Sequence, residues 1–404
     1  MIPANPNHVE HRVAFHIPCT SDRKGFRSAC ALHSDSAHTD SALLPQVHHV
    51  FECLVKRRLL NLRGWIRSAQ RAIVDLGAAI AKKAQILYFY RAMHFESIHY
   101  DFPPFRPPNE ANSALIRITR GCPWNRCEFC AMYKNLKFES KPLGDVKKDV
   151  LKARTIYGEA ATIFLGDSDS LVHKNMVEIM TFIKETFPET QRVTSYARAK
   201  TILSRKMEFL KSVRAAGLDR LHLGLESGDP VVLQRLCKGA TPEEMARAGQ
   251  KAKKAGFQIS FYVLSGAGGK DRWKEHAVNS AGVLNKAEPD FIRLRTLTIQ
   301  HGTPLDEKLA AHEFSLTPPL ERLEEVKLFI ETLDIKDCFL ASDHLTNYLW
   351  AGNSIIYKGV SGTLPDEKER MVATLARAIN FIQTNDLEVK DSHQLYREGL
   401  ISSL

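Results

Sequence analysis

Residues 114–130 read ALIRITRGCPWNRCEFC, from Ala114 to Cys130. The stretch opens on a short apolar run, ALIRIT, of strand length and composition. It continues into a polar loop that holds Cys122, Cys127 and Cys130 at the spacing C-x4-C-x2-C. Strand first, chemistry-bearing loop second: that order recurs down the chain and sets the fold class.

The next apolar runs are ATIFLG (161–166), RVTSYA (192–197), LDRLHLGLE (218–226), FQISFYVLSG (257–266) and FIRLRTL (291–297). Helical patterns lie between them, over 146–157, 173–186, 202–215, 230–237, 242–254 and 272–286. Six strands alternating with helices predict right-handed crossovers and a parallel sheet. Chemistry in such a sheet gathers at the C-terminal strand ends. The polar motifs CPWNRCEFC, GDSDS, YARAK, GLESGD and SGAGGK follow the first five strands in turn. Farther on, a helix is expected over 366–383, with Met371, Leu375, Ile379 and Ile382 on one face to close the side of the sheet.

Three thiolates on one short loop can converge on a single iron–sulfur cube and leave its fourth iron without a protein ligand. Three other readings compete. Structural zinc wants four ligands, and downstream the next His is His173 and the next Cys is Cys237. A fully ligated electron-transfer cluster would take its fourth ligand from Cys237 or Cys338. Three plain buried cysteines are the last. The whole chain has eight cysteines in 404 residues, too sparse for a disulfide scaffold, so a reducing, cytoplasmic setting is expected.

Composition bounds the rest. Hydrophobic residues make up 44 % and charged residues 25 %, which excludes wholesale disorder and a membrane bundle. No window is apolar enough for a membrane span, and the opening MIPANPNHVEHR has no apolar core of a secretory signal. The net charge is +10, and residues 1–97 carry more than half of that excess. Residues 1–50 show no sustained period and are expected to be poorly ordered. His48, His49 and Cys53 there are a weak metal-binding set. From about 50 to 93 the pattern turns helical, and DFPPFRPPNEANS then interrupts any helix with four prolines. The expected organisation is an N-terminal extension over 1–97, a core domain over 98–310, and a helical region over 311–404 packed on the core.

The loop RGCPWNRCEFCAMYK resembles the radical S-adenosylmethionine (radical SAM) superfamily. The usual spacing there is C-x3-C-x2-C, and this sequence resembles a subgroup whose first gap is one residue longer. The likeness runs from about residue 98 to 376. It implies an α/β fold, a partial (β/α)6 TIM-like barrel, with Cys122, Cys127 and Cys130 holding a [4Fe-4S] cluster. S-adenosyl-L-methionine (SAM) would chelate the open iron. Its reductive cleavage would yield a 5′-deoxyadenosyl radical that abstracts hydrogen from a substrate. Phe129 would lie beside the adenine.

The remaining loops supply candidates in that frame. Gly166 and Asp167 loosely match a Gly-Gly-Glu stretch that meets the SAM amino group, whereas Asp169 reads as a helix cap. Ser195 and Arg198 end the third strand, and a guanidinium grips a carboxylate bidentately. Glu226, in a GLESG stretch seen in many radical SAM enzymes, would contact the SAM amino group or ribose. Gly266 and Gly268 would let the backbone approach the cofactor, and a tight strand-to-helix turn is the other reading. Arg293 and Arg295 alternate on strand six and share one face, where they could anchor an acidic substrate. His344 is a candidate proton donor, with a helix cap formed by Ser342 or Asp343 as the other reading. The expected partners are a small-molecule or macromolecular substrate and a low-potential electron donor such as flavodoxin or ferredoxin. Nucleic acid is less favoured, because the core domain is nearly charge-balanced. The other function classes are a non-catalytic iron–sulfur electron-transfer protein and a zinc-stabilised interaction module.

Overall fold

The computed structural model describes residues 98, 100–102 and 105–400. The expectations for the N-terminal extension, including its helix over 50–93 and the His48, His49 and Cys53 set, lie outside the described residues. The principal sheet has eight strands in spatial order: β1 (Ala114–Arg117), β2 (Thr162–Gly166), β3 (Arg192–Tyr196), β4 (Arg220–Glu226), β5 (Gln258–Ser265), β6 (Phe291–Thr296), β7 (Cys338–Ala341) and β8 (Ser361–Leu364). Every neighbouring pair from β1 to β7 is parallel, and β8 returns antiparallel on β7. The helices that connect them are α1 (Leu143–Tyr157), α2 (Met176–Thr186), α3 (Ala199–Ser204), α4 (Met207–Ala215), α5 (Pro230–Arg235), α6 (Pro242–Lys254) and α7 (Gly269–Ala287). The chain continues through α8 (Pro304–Ala310), α9 (Pro319–Thr332), α10 (Lys368–Thr384) and α11 (Ser392–Arg397). All six expected strands are present, and the α/β class with its parallel, barrel-like sheet is the observed one.

Period-two alternation sorts the strand residues. Ile163, Leu165, Val193, Leu221, Leu223, Ile259, Phe261, Ile292 and Leu294 face the helices and form the main core. That core is hydrophobic burial of the ordinary kind, roughly 1.5–3 kcal/mol for each such side chain. The opposite, inner face carries Phe164, Tyr196, His222, Tyr262, Arg293 and Arg295, which share register across the strands. A 3-10 turn, Pro108–Glu110, sits at the N-terminal ends of the strands. There Glu110 is fully buried and bonds Ser113 and Arg192, with His222 Nε2 at 3.4 Å. Tyr262 donates its hydroxyl to Asn109 at 3.1 Å.

Two details depart from the sequence-based expectation. The region 311–404 is not only helical: β7, β8 and three shorter strands lie in it. Cys338–Ala341 is a four-residue run, too short to stand out by periodicity, yet it completes seven parallel strands. The helix expected over 202–215 is two helices. It breaks at Arg205, whose backbone is extended and whose guanidinium reaches the carbonyls of Leu171 (2.9 Å) and Val172 (2.7 Å). Elsewhere local signals agree with the fold: Thr241 and Glu244 form a reciprocal capping box with Pro242 at the first position of α6.

Candidate functional site

The cysteine loop spans residues 121–138 and is closed at its base by a two-stranded ladder, Thr119 opposite Ser140 and Arg120 opposite Glu139. Five further contacts fix it. The Gly121 N–H donates to Asp167 Oδ2 at 2.8 Å. Asn125 turns in the left-handed region (φ 48°) and its amide reaches the Tyr133 carbonyl. The Trp124 indole N–H donates to the Cys237 carbonyl at 2.7 Å, and the Glu128 N–H donates to the Leu236 carbonyl at 3.0 Å. Lys308 of α8 pairs with Glu128 at 2.6 Å. The loop is thus clamped between β2, the segment after α5, and α8.

Cys122, Cys127 and Cys130 are free, partly exposed thiols on that loop. They lie close enough to one another to couple electrostatically. Burial pushes Cys127 up to about 11, against the pull of Lys238, and raises Cys130 as well. The Asn125 N–H approaches Cys122 Sγ at 3.5 Å, and the Met132 N–H approaches Cys130. Amides aimed at sulfur favour the thiolate and tune a cluster. Among the described residues no three His, Cys, Asp or Glu side chains converge on one ion position. A cubane does not ask for that, because each cysteine binds a different iron. The donor set fits a [4Fe-4S] cluster with three protein ligands. The two suggested fourth ligands point elsewhere: Cys237 donates to Glu128 at 3.4 Å, and Cys338 is fully buried in the core on β7.

Around the cysteines stand charges that sequence reading only half identified. β4 shifts register between Gly224 and Glu226, and Glu226 adopts φ 62°. Such a bulge re-aims a side chain. Here it sends the Glu226 carboxylate back over Gly224, whose missing Cβ would lie 2.0 Å from Glu226 Oε1. The carboxylate pairs with Lys238 at 2.7 Å. Lys238 feels Cys127 and Arg198 as well, and Arg198 stacks over Trp124 at 5.4 Å. Cys127, Glu226, Lys238, Arg198 and Trp124 therefore form one neighbourhood. Lys238 and Trp124 were missed by sequence reading. The signal for Lys238 was a Cys-Lys-Gly stretch just after a helix that itself follows β4.

Gly239 sits at φ 75°, with the Trp124 ring where a Cβ would lie, 2.4 Å away. Gly239→Ala is expected to cost about 2–4 kcal/mol from backbone strain and displacement of the indole. Thermal melting and iron retention measured together check this.

Phe129 and Leu264 each pack against a satellite apolar cluster that includes Leu297, Leu305 and Phe314. Asp167 is fully buried and already engaged: it takes Gly121 N–H on one oxygen and Arg117 Nε on the other, at 3.2 Å. Burial raises its carboxyl, while Arg117 and the Gly121 N–H pull it down. Its observed work is to brace the cysteine loop. Gly166 gives its carbonyl to the Ile118 N–H.

Several candidates are corrected. Ser195 shares register with Leu165 and Leu221, the outer row, so it faces the helices and Tyr196 takes the inner face. Asp169 does not cap its own turn; it bonds Thr201 and the Arg198 backbone, and burial pushes it up to about 7. Gly266 (φ 85°) gives its N–H to Glu325 at 2.9 Å, and a Cβ on Gly268 would strike the Arg272 carbonyl and His276. Those glycines form a strand-to-helix turn against α7 and α9. His344 accepts the Thr346 N–H on Nδ1 at 3.2 Å and is itself the cap, in place of Ser342 or Asp343. Burial and the nearby Arg295 lower it to about 4, so at neutral pH it is not a cationic proton donor.

Glu325, the turn's partner, is fully enclosed, and burial pushes it up to about 8. In the unfolded chain it ionises near pH 4.3. Between those values the folded state keeps a proton the unfolded state has lost, so this group makes stability fall as pH rises, by up to about 1.4 kcal/mol per unit. His276, lowered to about 4 by burial, works in the opposite sense only below about 6.5. Glu325→Gln keeps the acceptor for Gly266 and is expected to flatten the fall in melting temperature between pH 7 and 8.

Residues 116–277 match the sequence model of the Radical SAM superfamily. An uncharacterized methyltransferase of Pyrococcus horikoshii is 26 % identical over 208 residues, covering 50 % of this chain and 43 % of that protein. The heme chaperone HemW of Mycobacterium tuberculosis is 29 % identical over 109 residues, 27 % of each chain. The chain thus spans less than half the length of these curated relatives. Among solved structures, coproporphyrinogen III oxidase from Escherichia coli, a radical SAM enzyme, aligns at a TM-score of 0.42 and 14 % identity, over 54 % of this chain and 51 % of that one.

Proposed function

Because residues 116–277 carry a radical SAM domain, we propose that this chain is a radical SAM enzyme that cleaves SAM reductively at a [4Fe-4S] cluster and abstracts hydrogen from a substrate. The observation that supports it is the three-cysteine loop beside Glu226, Lys238 and Arg198, at the C-terminal ends of a parallel sheet. When bound, the cluster and SAM supply a one-electron cleavage of the sulfonium. Cys122, Cys127 and Cys130 would hold the cluster as thiolates, each giving up its proton on binding. Glu226 offers a carboxylate to the ammonium of the SAM methionyl end, while Lys238 and Arg198 offer cations to its carboxylate. In the free protein Glu226 and Lys238 satisfy each other, which keeps both charges compensated until the zwitterion arrives. Phe129 and Leu264 give the adenine an apolar wall. Tyr196 and Tyr262 line the inner face below and limit water near the reacting atoms. A low-potential donor such as flavodoxin or ferredoxin provides the electron.

The test is anaerobic iron–sulfide reconstitution followed by reduction with and without SAM. A reduced-cluster EPR signal that shifts with SAM, together with 5′-deoxyadenosine, supports the proposal. A cluster indifferent to SAM means electron transfer, and a colourless protein holding stoichiometric zinc means an interaction module. The haem-chaperone relative supports a second reading, haem handling, in which the chain takes up hemin stoichiometrically and makes no 5′-deoxyadenosine.

A further inference from the structure

The inner face of the sheet holds four guanidiniums along β3, β4 and β6, and their partners differ. Arg192 bonds Glu110 at 3.3 Å. Arg220 bonds the Gln258 amide oxygen at 2.9 Å and stacks on Phe291 at 3.8 Å. Arg293 and Arg295, two residues apart on β6, have no carboxylate partner among the described residues. Arg293 instead lies against the rings of Phe291 (5.8 Å) and Phe339 (5.6 Å), and its Nε is buried with no hydrogen-bond acceptor among the described residues. Arg295 lies 6.0 Å from the Tyr262 ring; burial and then the Arg293 charge make its own charge more costly, and the Asp343 carboxylate offsets part of this from beyond ion-pair distance. Both are only half-buried, so each keeps surface open to a solute, and Phe339 beside Arg293 is 36 % exposed.

Two like charges held side by side on aromatic walls, one with an unmet donor, are costly unless an anion completes them. We propose that Arg293 and Arg295 form a subsite for an oxyanion, a carboxylate or phosphate group carried by the substrate. A planar fork grips either group through two parallel N–H donors, which fixes orientation as well as charge. The subsite anchors the substrate by a group remote from the abstracted hydrogen, deeper along the strands than the cysteine loop. This inference rests on the radical SAM reading for its place in catalysis, and its binding test does not need turnover.

The test is isothermal titration of the reconstituted full chain, in low-chloride buffer, with succinate and with inorganic phosphate as probes. One of them is expected to bind with millimolar affinity, weakened at least tenfold in Arg293→Gln and in Arg295→Gln. Arg247→Gln, at an exposed position on α6, is the control that leaves binding unchanged. Preference for succinate assigns a carboxylate, and preference for phosphate assigns a phosphoryl group. The unmutated protein gives a second measurement: phenylglyoxal labelling of the peptide containing Arg293 and Arg295, read by mass spectrometry, is expected to be suppressed by the bound probe. No binding of either probe, binding that neither variant weakens, or labelling that no probe suppresses overturns the proposal. Probe binding that persists in a protein making no 5′-deoxyadenosine keeps the subsite and removes the enzymatic reading; the reverse result removes only the subsite.

Discussion

Cys127→Ala is expected to leave the chain folded but unable to keep its cluster. Reconstituted wild-type protein should hold about four irons per chain, and the variant close to background. SAM-dependent 5′-deoxyadenosine should drop by about a hundredfold or more, because two thiolates on a loop cannot hold a cube that three hold. Cys127 is the middle ligand and the most strongly perturbed of the three, enclosed by Cys122, Cys130, Glu226 and Lys238. Its replacement removes a partly exposed thiol without touching the ladder at Thr119–Arg120 or the Trp124 anchor, so circular dichroism and melting should change little. Cys237→Ala supplies the contrast. Its sulfur faces Glu128, not the other cysteines, and iron content should stay at the wild-type level. Iron retained in Cys127→Ala but lost in Cys237→Ala would falsify the three-cysteine assignment.

The second large effect is expected at Asp167, through the scaffold rather than the chemistry. Asp167→Ala leaves the Gly121 N–H without its acceptor and the Arg117 guanidinium without one of its two carboxylates. Breaking a buried pair of this kind costs about 3–5 kcal/mol, a fall in melting temperature of order 10 °C for a domain of this size. Gly121 directly precedes the first cluster cysteine, so iron should also be lost faster on dilution. Asp167→Asn is the sharper test. One oxygen faces a backbone N–H and the other a guanidinium, so the amide of Asn must turn its own N–H groups toward one of two donors. Most of the stability loss is expected to persist in Asn. Full stability in Asn with weakened SAM binding would instead assign the carboxylate to the cofactor.

How much was legible can be judged residue by residue. The strands were readable because each alternating apolar row, such as Ile163 and Leu165, must meet helices on the outer face. The Cys122, Cys127 and Cys130 set was readable because close spacing along the chain guarantees closeness in space. Ser195 failed for the opposite reason: at a strand end a shift of one residue exchanges the inner and outer faces, and Tyr196 won the inner one. Gly266 was legible only as a turn glycine, because a positive φ serves a turn as well as it serves a ligand.

The sequence by itself determined the α/β class, the six-strand order and the three-cysteine loop, since all three rest on local periodicity and short spacing. Only the tertiary structure decided that Lys238 meets Glu226, that Asp167 braces Gly121, that Cys338 starts a seventh parallel strand, and that Arg293 and Arg295 form no ion pair among the described residues. Those facts depend on which side chains meet across strands far apart in the chain. Pairing of that kind is fixed by packing and by the need to satisfy buried charge, and neither leaves a periodic trace in the sequence.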